Sequence, residues 1–198
     1  MTLRSDLTEL LVRDGIVDVD VDDAVADEHV RCSAYRRVVS ATASARSRDR
    51  DRDRDRDRDR DRAMVATILR DPVVSISKTA VVDLVDRMAV EATGPEDFRQ
   101  WSAGILPEID RITAEGNREF IHRRMRDWLL HLSIKDGHVP SPAELAEATN
   151  WMQRVLAERS TSSAVLTLLA ESGSTRKIRN IAKDRAGSRK LRRPGAGA

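Results

Sequence analysis

The sequence contains a run of strict Arg-Asp alternation from Arg48 to Arg62, with eight arginines and seven aspartates. In a helix, residues four apart in this run would carry like charges and repel, whereas residues three apart would pair. In a strand, one face would be all Arg and the other all Asp, so neither face could be buried. The isolated tract is therefore expected to be a solvated coil or a marginal helix without a core of its own.

The aromatic residues indicate where the core lies. All of them except Tyr35 fall between residues 95 and 155, namely Phe98, Trp101, Phe120, Trp128 and Trp151. Aromatic side chains bury the most apolar area per residue. The folded domain is therefore predicted within residues 63–173.

Helical periodicity is strongest in the segment that follows the tract. One apolar stripe is formed by Ile76, Ala80, Val81, Leu84, Val85, Met88 and Ala89. Two capping boxes, Thr93 with Glu96 and Ser141 with Glu144, mark helix starts, and Pro107 is expected to end the first of these helices. The pattern predicts an all-α chain built around a small helical bundle.

The flanking segments complete the predicted domain organisation. Residues 1–45 form an acidic helical arm, 46–62 an Arg-Asp low-complexity linker, and 174–198 a basic helix with a disordered tail. Within the arm, Ile16–Asp23 alternates apolar and acidic residues, which we interpret as an extended connector capped at Asp22 before a helix over 24–45.

Residues 142–159 have two possible interpretations. Pro142–Thr149 and Trp151–Arg159 could form a helix-turn-helix, but Asn150 stands where Gly would ease the turn. The apolar stripe also continues through this point, so one uninterrupted helix is favoured.

Charge is distributed unevenly, although the whole chain has a net charge of only +2. Residues 1–30 have a net charge of −7, and residues 171–198 a net charge of +7. Such a basic segment predicts phosphate-backbone contacts, and the absence of aromatic residues from it argues against base stacking. The predicted nucleic-acid-binding residues are Arg176, Lys177, Arg179, Lys183, Arg185, Arg189, Lys190, Arg192 and Arg193. The alternatives are a solvated tail or docking on the acidic arm. Because the Arg-Asp tract nearly neutralises itself, it is interpreted as a spacer.

Several function classes lack their sequence signatures. Phosphate loops, the nucleophile-elbow motif and glycine-rich nucleotide fingerprints are absent, so no cofactor is predicted. The single Cys32 excludes an intrachain disulfide and suggests a reducing compartment. Without an apolar run of about 18 residues or a secretory signal, we expect no membrane span and a cytoplasmic location.

Two patterns imitate metal sites incompletely. Glu119 and His122 form one Glu-x-x-His pair, whereas carboxylate-bridged di-iron bundles need two copies and further glutamates. The segment Asp18–His29 begins like a calcium loop, but Asp23 replaces the required Gly and His29 replaces the bidentate Glu. No metal site is predicted.

The segment Arg126-Asp-Trp-Leu-Leu-His131 resembles the Arg-polar-x-x-x-His motif of HEPN ribonucleases over its six residues. That family is all-α, usually dimeric and metal-independent. The resemblance implies that Arg126 and His131 would bind and polarise a scissile phosphate and assist proton transfer, with Asp127 as the polar residue. Residues five apart on a straight helix diverge by about 140°, so convergence would need a helix start or a dimer cleft.

The leading functional hypothesis is a non-enzymatic, nucleic-acid-associated or regulatory adaptor that binds phosphate backbone through its basic C-terminal segment. The alternatives from other classes are a metal-independent HEPN-like ribonuclease and a protein-binding helical scaffold. The partner and the oligomeric state stay open.

Overall fold

A computed structural model describes the backbone of residues 2–48 and 54–191, and the side chains of residues 2–44 and 56–188. Within those ranges the chain forms eleven helices and no β-strand, which confirms the predicted all-α fold class. The helices are α1 (Leu3–Arg13), α2 (Val21–Ala26), α3 (Glu28–Arg48), α4 (Arg54–Ile68), α5 (Val74–Glu91), α6 (Pro95–Ile109), α7 (Glu115–Lys135), α8 (Pro142–Glu147), α9 (Asn150–Arg159), α10 (Ser163–Ser172) and α11 (Arg176–Leu191).

The chain divides into two compact units, Met1–Met125 and Arg126–Ala198. The boundary falls inside α7, so the first unit contains α1 to α6 with the first part of α7. The second unit contains the rest of α7 and α8 to α11. Across the described ranges, no helix has the length and apolar character needed to cross a membrane.

The core of the first unit is built around α5. All of the predicted stripe from Ile76 to Ala89 is buried, and α5 packs chiefly against α3. Phe98 and Trp101 on α6 contact each other with ring centroids 5.5 Å apart, and Tyr35 on α3 is also buried. The large aromatic area therefore lies where several helices of this unit meet.

The acidic arm is helical, but its helices begin and end at other residues than predicted. The connector is not a strand, and the cap of α2 is Asp20 rather than Asp22, because the Asp20 carboxylate accepts from the N–H groups of Asp22 and Asp23 at 2.8 and 3.2 Å. The predicted helix over 24–45 is interrupted at Asp27, whose Oδ1 accepts from the N–H of His29 at 2.7 Å. Each aspartate satisfies amides that a helix start leaves unpaired.

Residues 54–62 of the Arg-Asp tract form the first part of α4 and pack within the first unit. Asp57 and Asp61 are buried, and Trp101 Nε1 donates to Asp61 Oδ2 at 2.9 Å. Arg60 pairs with Asp14, the residue that caps the C-terminal end of α1. The helical spacing that puts like charges four apart also puts both aspartates on the face continued by Met64 and Ile68. Tertiary partners thus stabilise a helix that would be marginal alone. Tract residues 49–53 lie outside the described ranges.

The first predicted capping box and its helix end are both wrong. The cap of α6 is Gly94, and Asp97 Oδ2, not Glu96, accepts from the Thr93 N–H and hydroxyl at 3.0 and 3.2 Å. The helix continues through Pro107 to Ile109. Pro107 has no N–H group, but it lies in the final turn, so the helix loses a single backbone donor there and tolerates the proline.

In the second unit, the predicted capping box of Ser141 and Glu144 is confirmed, with both reciprocal hydrogen bonds present. The single helix predicted over 142–159 is wrong, because α8 ends at Glu147 and α9 begins at Asn150. Thr149 caps α9, and Asp127 on α7 accepts hydrogen bonds from both the Thr149 N–H, at 3.0 Å, and its hydroxyl. Asp127, which is distant in sequence, therefore stabilises the break between α8 and α9.

Candidate nucleic-acid interface

The helix α11 carries most of the predicted phosphate-binding residues and is anchored in the second unit by its apolar strip. Ile178 is 3 % exposed and Ala182 is fully buried. The turn from α10 to α11 is tight at Gly173, where an added Cβ would lie 2.5 Å from the Leu169 carbonyl oxygen. Thr175 begins α11 by accepting from the N–H of Ile178 at 3.2 Å. The backbone that positions the basic side chains is therefore held by packing.

Two of the predicted phosphate-binding arginines bond to the protein itself. Arg179 Nη1 donates to the Gly173 carbonyl at 2.6 Å, and Arg185 Nη1 donates to the Ala157 carbonyl at 2.9 Å. These carbonyls lie at the end of α10 and in the last turn of α9, where helices leave carbonyl groups unpaired and the dipole favours cations. One guanidinium nitrogen of each of these side chains is therefore bonded to a backbone carbonyl.

Three other predicted residues are exposed on α11. The side chains of Arg176 and Lys183 make no hydrogen bond or ion pair within the described ranges. Seven residues correspond to almost two full turns, so both lie on one side of α11, which we call the basic face (Arg176 and Lys183). Lys177 lies elsewhere on the helix, and its charge contributes to lowering the pKa of Glu158, after the larger effect of the hydrogen bond from Arg154.

The remaining predicted residues are only partly described. Arg189 and Lys190 belong to the backbone of α11, and their side chains are outside the described set. Arg192 and Arg193 lie beyond the described residues altogether. The structure therefore brings Arg176 and Lys183 together on one face, and directs Arg179 and Arg185 to carbonyl groups.

The sequence contains an unused indication that Arg185 differs in position from the exposed basic residues of α11. Ile178, Ala182 and Arg185 are spaced four and three residues apart, so Arg185 continues the buried stripe of α11. A basic residue on an apolar stripe buries its aliphatic stem and brings its charged end to a polar group at the edge of the core. Net charge alone does not distinguish Arg185 from the exposed basic residues.

The two compact units differ in charge. Residues 126–198 contain thirteen basic and seven acidic side chains, giving a net charge of +6. Residues 1–125 contain 22 basic and 26 acidic side chains, giving −4. A positive unit with an exposed basic helix attracts polyanions over a range set by ionic strength.

Arg126 and His131 are both located on α7, which is continuous between them. Arg126 is exposed, whereas His131 is partly buried and contacts Trp128 edge to face with ring centroids 5.3 Å apart. Burial, and then the charges of Lys135 and Arg159, lower the pKa of His131, which favours the neutral ring. The helix is continuous between them, and residues five apart leave an ideal helix axis about 140° apart.

The residues of the incomplete metal patterns have other partners. His122 Nε2 lies 2.9 Å from Asp110 Oδ1, and Glu119 pairs with Arg123 at 3.3 Å. Asp18 pairs with Arg37 on α3. Among the residues with described positions, no three His, Cys, Asp or Glu side chains are grouped so that they could hold a metal ion.

No protein-family model, curated protein or solved structure matches this chain.

Proposed function

We propose that the protein binds the phosphate backbone of a nucleic acid through α11, as a non-enzymatic adaptor. The observation that carries the proposal is the basic face of α11, where Arg176 and Lys183 are exposed without an ionic partner in the described part of the chain. Several arginines of the first unit instead pair with a carboxylate, such as Arg124 with Asp86 and Arg31 with Asp71. Unmatched cations on a packed helix are available to an external anion.

The spacing of the basic face suits a polyphosphate. Seven residues of α-helix separate Arg176 and Lys183 by about 10 Å along the axis. That distance is close to the rise of three nucleotides along one strand of duplex DNA, at about 3.4 Å each. The two cations can therefore contact separate phosphates of one strand.

The chemistry of the segment predicts backbone contact without base recognition. Residues 174–198 contain no aromatic side chain on which a base could stack. Lys and Arg contacts to phosphate fix position but convey no sequence information. Binding is therefore expected to be sequence-independent and strongly weakened by salt.

Neutralising the basic face is a better test than deleting the segment. Removal of residues 174–198 would also take Ile178 and Ala182 out of the core, so lost binding would be confounded with unfolding. The double variant Arg176→Gln with Lys183→Gln changes two exposed side chains and leaves the buried strip intact. A matched control is Arg87→Gln with Lys135→Gln, which removes the same charge from two exposed positions outside α11.

The assay is fluorescence anisotropy of a labelled duplex DNA at several salt concentrations. If both cations contact phosphate, the slope of log affinity against log salt falls by about 1.8 in the α11 variant, at about 0.9 per contact. The control variant should keep the parental slope. Equal slopes in all three proteins would refute the proposal, as would equal losses in the two double variants. A preference for anionic lipid vesicles over duplex at matched salt would also contradict it.

A further inference from the structure

A cavity of about 160 Å³ lies in the first unit, beside the first turns of α5 and α7. Its wall is formed by Val74, Ser77 and Lys78 on α5, by the loop from Arg111 to Ala114, and by Asn117 on α7. None of its lining residues belongs to α11, and nothing in the proposed nucleic-acid binding uses it. The lining contains basic and neutral polar side chains but no acidic one among the described residues.

One of the two cations on the cavity wall is the Lys78 ammonium. Its Nζ lies 5.2 Å from the ring centroid of Phe120, a cation–π contact that holds the group without using a hydrogen-bond acceptor. Within the described ranges, Lys78 makes no hydrogen bond and no ion pair. Its N–H donors are therefore not engaged by an acceptor within the described ranges.

Arg111 adds positive charge at the rim. It pairs with Glu108, but that carboxylate also accepts from Arg62 Nε at 2.8 Å. The hydrogen bond from Arg62, together with Arg111, holds the pKa of Glu108 below its ordinary value. One carboxylate thus serves two guanidinium groups, and the cluster keeps a net positive charge.

Two neutral side chains supply further donors. Thr113 has a hydroxyl and Asn117 an amide, and neither side chain is hydrogen-bonded within the described ranges. The first turn of α5 adds no free donor that can be counted, because the amides of Ile76 and Ser77 already donate to the Val73 carbonyl at 2.9 and 3.2 Å. An anion in the cavity would meet an ammonium, a hydroxyl and an amide from three different segments.

Cavity size and lining restrict the class of ligand. Pockets for drug-sized ligands and cofactors measure about 300–1,000 Å³, so a cavity of about 160 Å³ encloses only a smaller group. A cavity of roughly 150 Å³ holds a benzene-sized group, and a phosphate group is no larger. Leu69 and Ile112 make part of the wall apolar, which suits a small carbon substituent on the anion.

We propose that this cavity binds a phosphate-sized tetrahedral oxyanion, either inorganic phosphate or the phosphate group of a small monoester. Lys78 provides the charge, and Thr113 and Asn117 provide orienting hydrogen bonds. The site and the basic face of α11 are independent, so either can fail without the other.

The experiment titrates the full chain with inorganic phosphate, methyl phosphate, sulfate and acetate at constant ionic strength, following backbone amide resonances of residues 112–117 by NMR. The variants are Lys78→Gln and Thr113→Val. The matched control is Arg87→Gln, which removes one exposed charge from the same helix. Local resonances separate this site from any phosphate bound at α11.

We expect saturable shifts with phosphate in the parent and in the control. Loss of a charged hydrogen-bond donor should weaken binding at least about tenfold in Lys78→Gln, and loss of the hydroxyl about threefold or more in Thr113→Val. Tighter binding of methyl phosphate would identify an esterified phosphate as the occupant, and tighter binding of phosphate the free anion. The proposal is overturned if no saturable shift occurs, if acetate binds as tightly, or if Lys78→Gln and Arg87→Gln behave alike. Should Lys78→Gln fail to fold, unchanged affinity in Thr113→Val overturns it.

Discussion

Two aspartates of the Arg-Asp repeat, Asp59 and Asp61, are chemically equivalent in sequence but differ in environment. Asp61 is 1 % exposed and accepts a hydrogen bond from Trp101 Nε1 at 2.9 Å, whereas Asp59 is exposed. We predict that Asp61→Ala destabilises the protein and that Asp59→Ala does not. The pair is well matched, because both substitutions remove one carboxylate from α4 within one turn of each other.

The magnitude follows from what Asp61→Ala leaves behind. A hydrogen bond to a charged group contributes about 1.5–3 kcal/mol, and a buried donor left without a partner costs about 1–3 kcal/mol. Trp101 is 4 % exposed, so water does not readily replace the carboxylate. We therefore expect a loss of about 2 kcal/mol for Asp61→Ala, and less than about 0.5 kcal/mol for Asp59→Ala.

Urea denaturation followed by far-UV circular dichroism measures both changes. The chain has two compact units, so the curves should be fitted for two transitions if two are present, and the change should lie in one of them. An unchanged m-value would show that the midpoint shift reports native-state stability. If Asp59→Ala and Asp61→Ala lower the free energy of unfolding equally, or if neither does, the packing of the tract within the first unit is refuted.

Three further predictions concern the second unit. Because burial and nearby cations lower the pKa of His131 below its ordinary value of 6.5, the unfolded chain binds the proton more readily, so the free energy of unfolding should fall as pH decreases below about 6.5. Urea titrations across pH should show a shallower fall in His131→Gln, and identical pH profiles would contradict the reasoning. Gly173→Ala should lower the free energy of unfolding by about 2 kcal/mol, since the new Cβ would lie 2.5 Å from a backbone oxygen of α10. At Gly187, an added Cβ would meet no atom within 4 Å outside its chain neighbours and the nearby backbone of its own helix. Gly187→Ala should therefore raise the free energy of unfolding by up to about 1 kcal/mol, and thermal melts in which both glycine variants shift the midpoint alike would contradict this expectation. Arg185→Ala should lower the free energy of unfolding by about 1 kcal/mol, because it removes the hydrogen bond to the Ala157 carbonyl. An unchanged denaturation midpoint would contradict this expectation.

Local patterns predicted the fold class and several helices correctly, because their signals lie close together in sequence. The stripe of α5 from Ile76 to Ala89 is buried as predicted, and the capping box of Ser141 with Glu144 is present. Both depend on residues three or four apart, and such spacing determines which side chains share a helix face. Local patterns of this kind can be recognised without knowledge of the tertiary structure.

The predicted helix boundaries are wrong where residues distant in sequence form hydrogen bonds with groups at a helix end. Thr149 separates α8 from α9 because Asp127, 22 residues earlier, accepts its hydroxyl and amide hydrogens. The tract forms a helix in the first unit because Trp101 and Asp14 supply partners to Asp61 and Arg60. Such pairings follow from the tertiary fold, which an isolated sequence pattern does not specify.

Ion pairs within the protein limit how many of its arginines can contribute to nucleic-acid binding. In the first unit, Arg31 Nε lies 2.8 Å from Asp71 Oδ2, and Arg124 bonds to both Asp86 oxygens at 2.6 Å. These guanidinium groups already have a carboxylate, and an external phosphate would have to displace it. The two cations of the basic face have no such competitor in the described part of the chain. Affinity for nucleic acid should therefore depend on these few unmatched side chains on α11, and not on the sequence pI of 9.0.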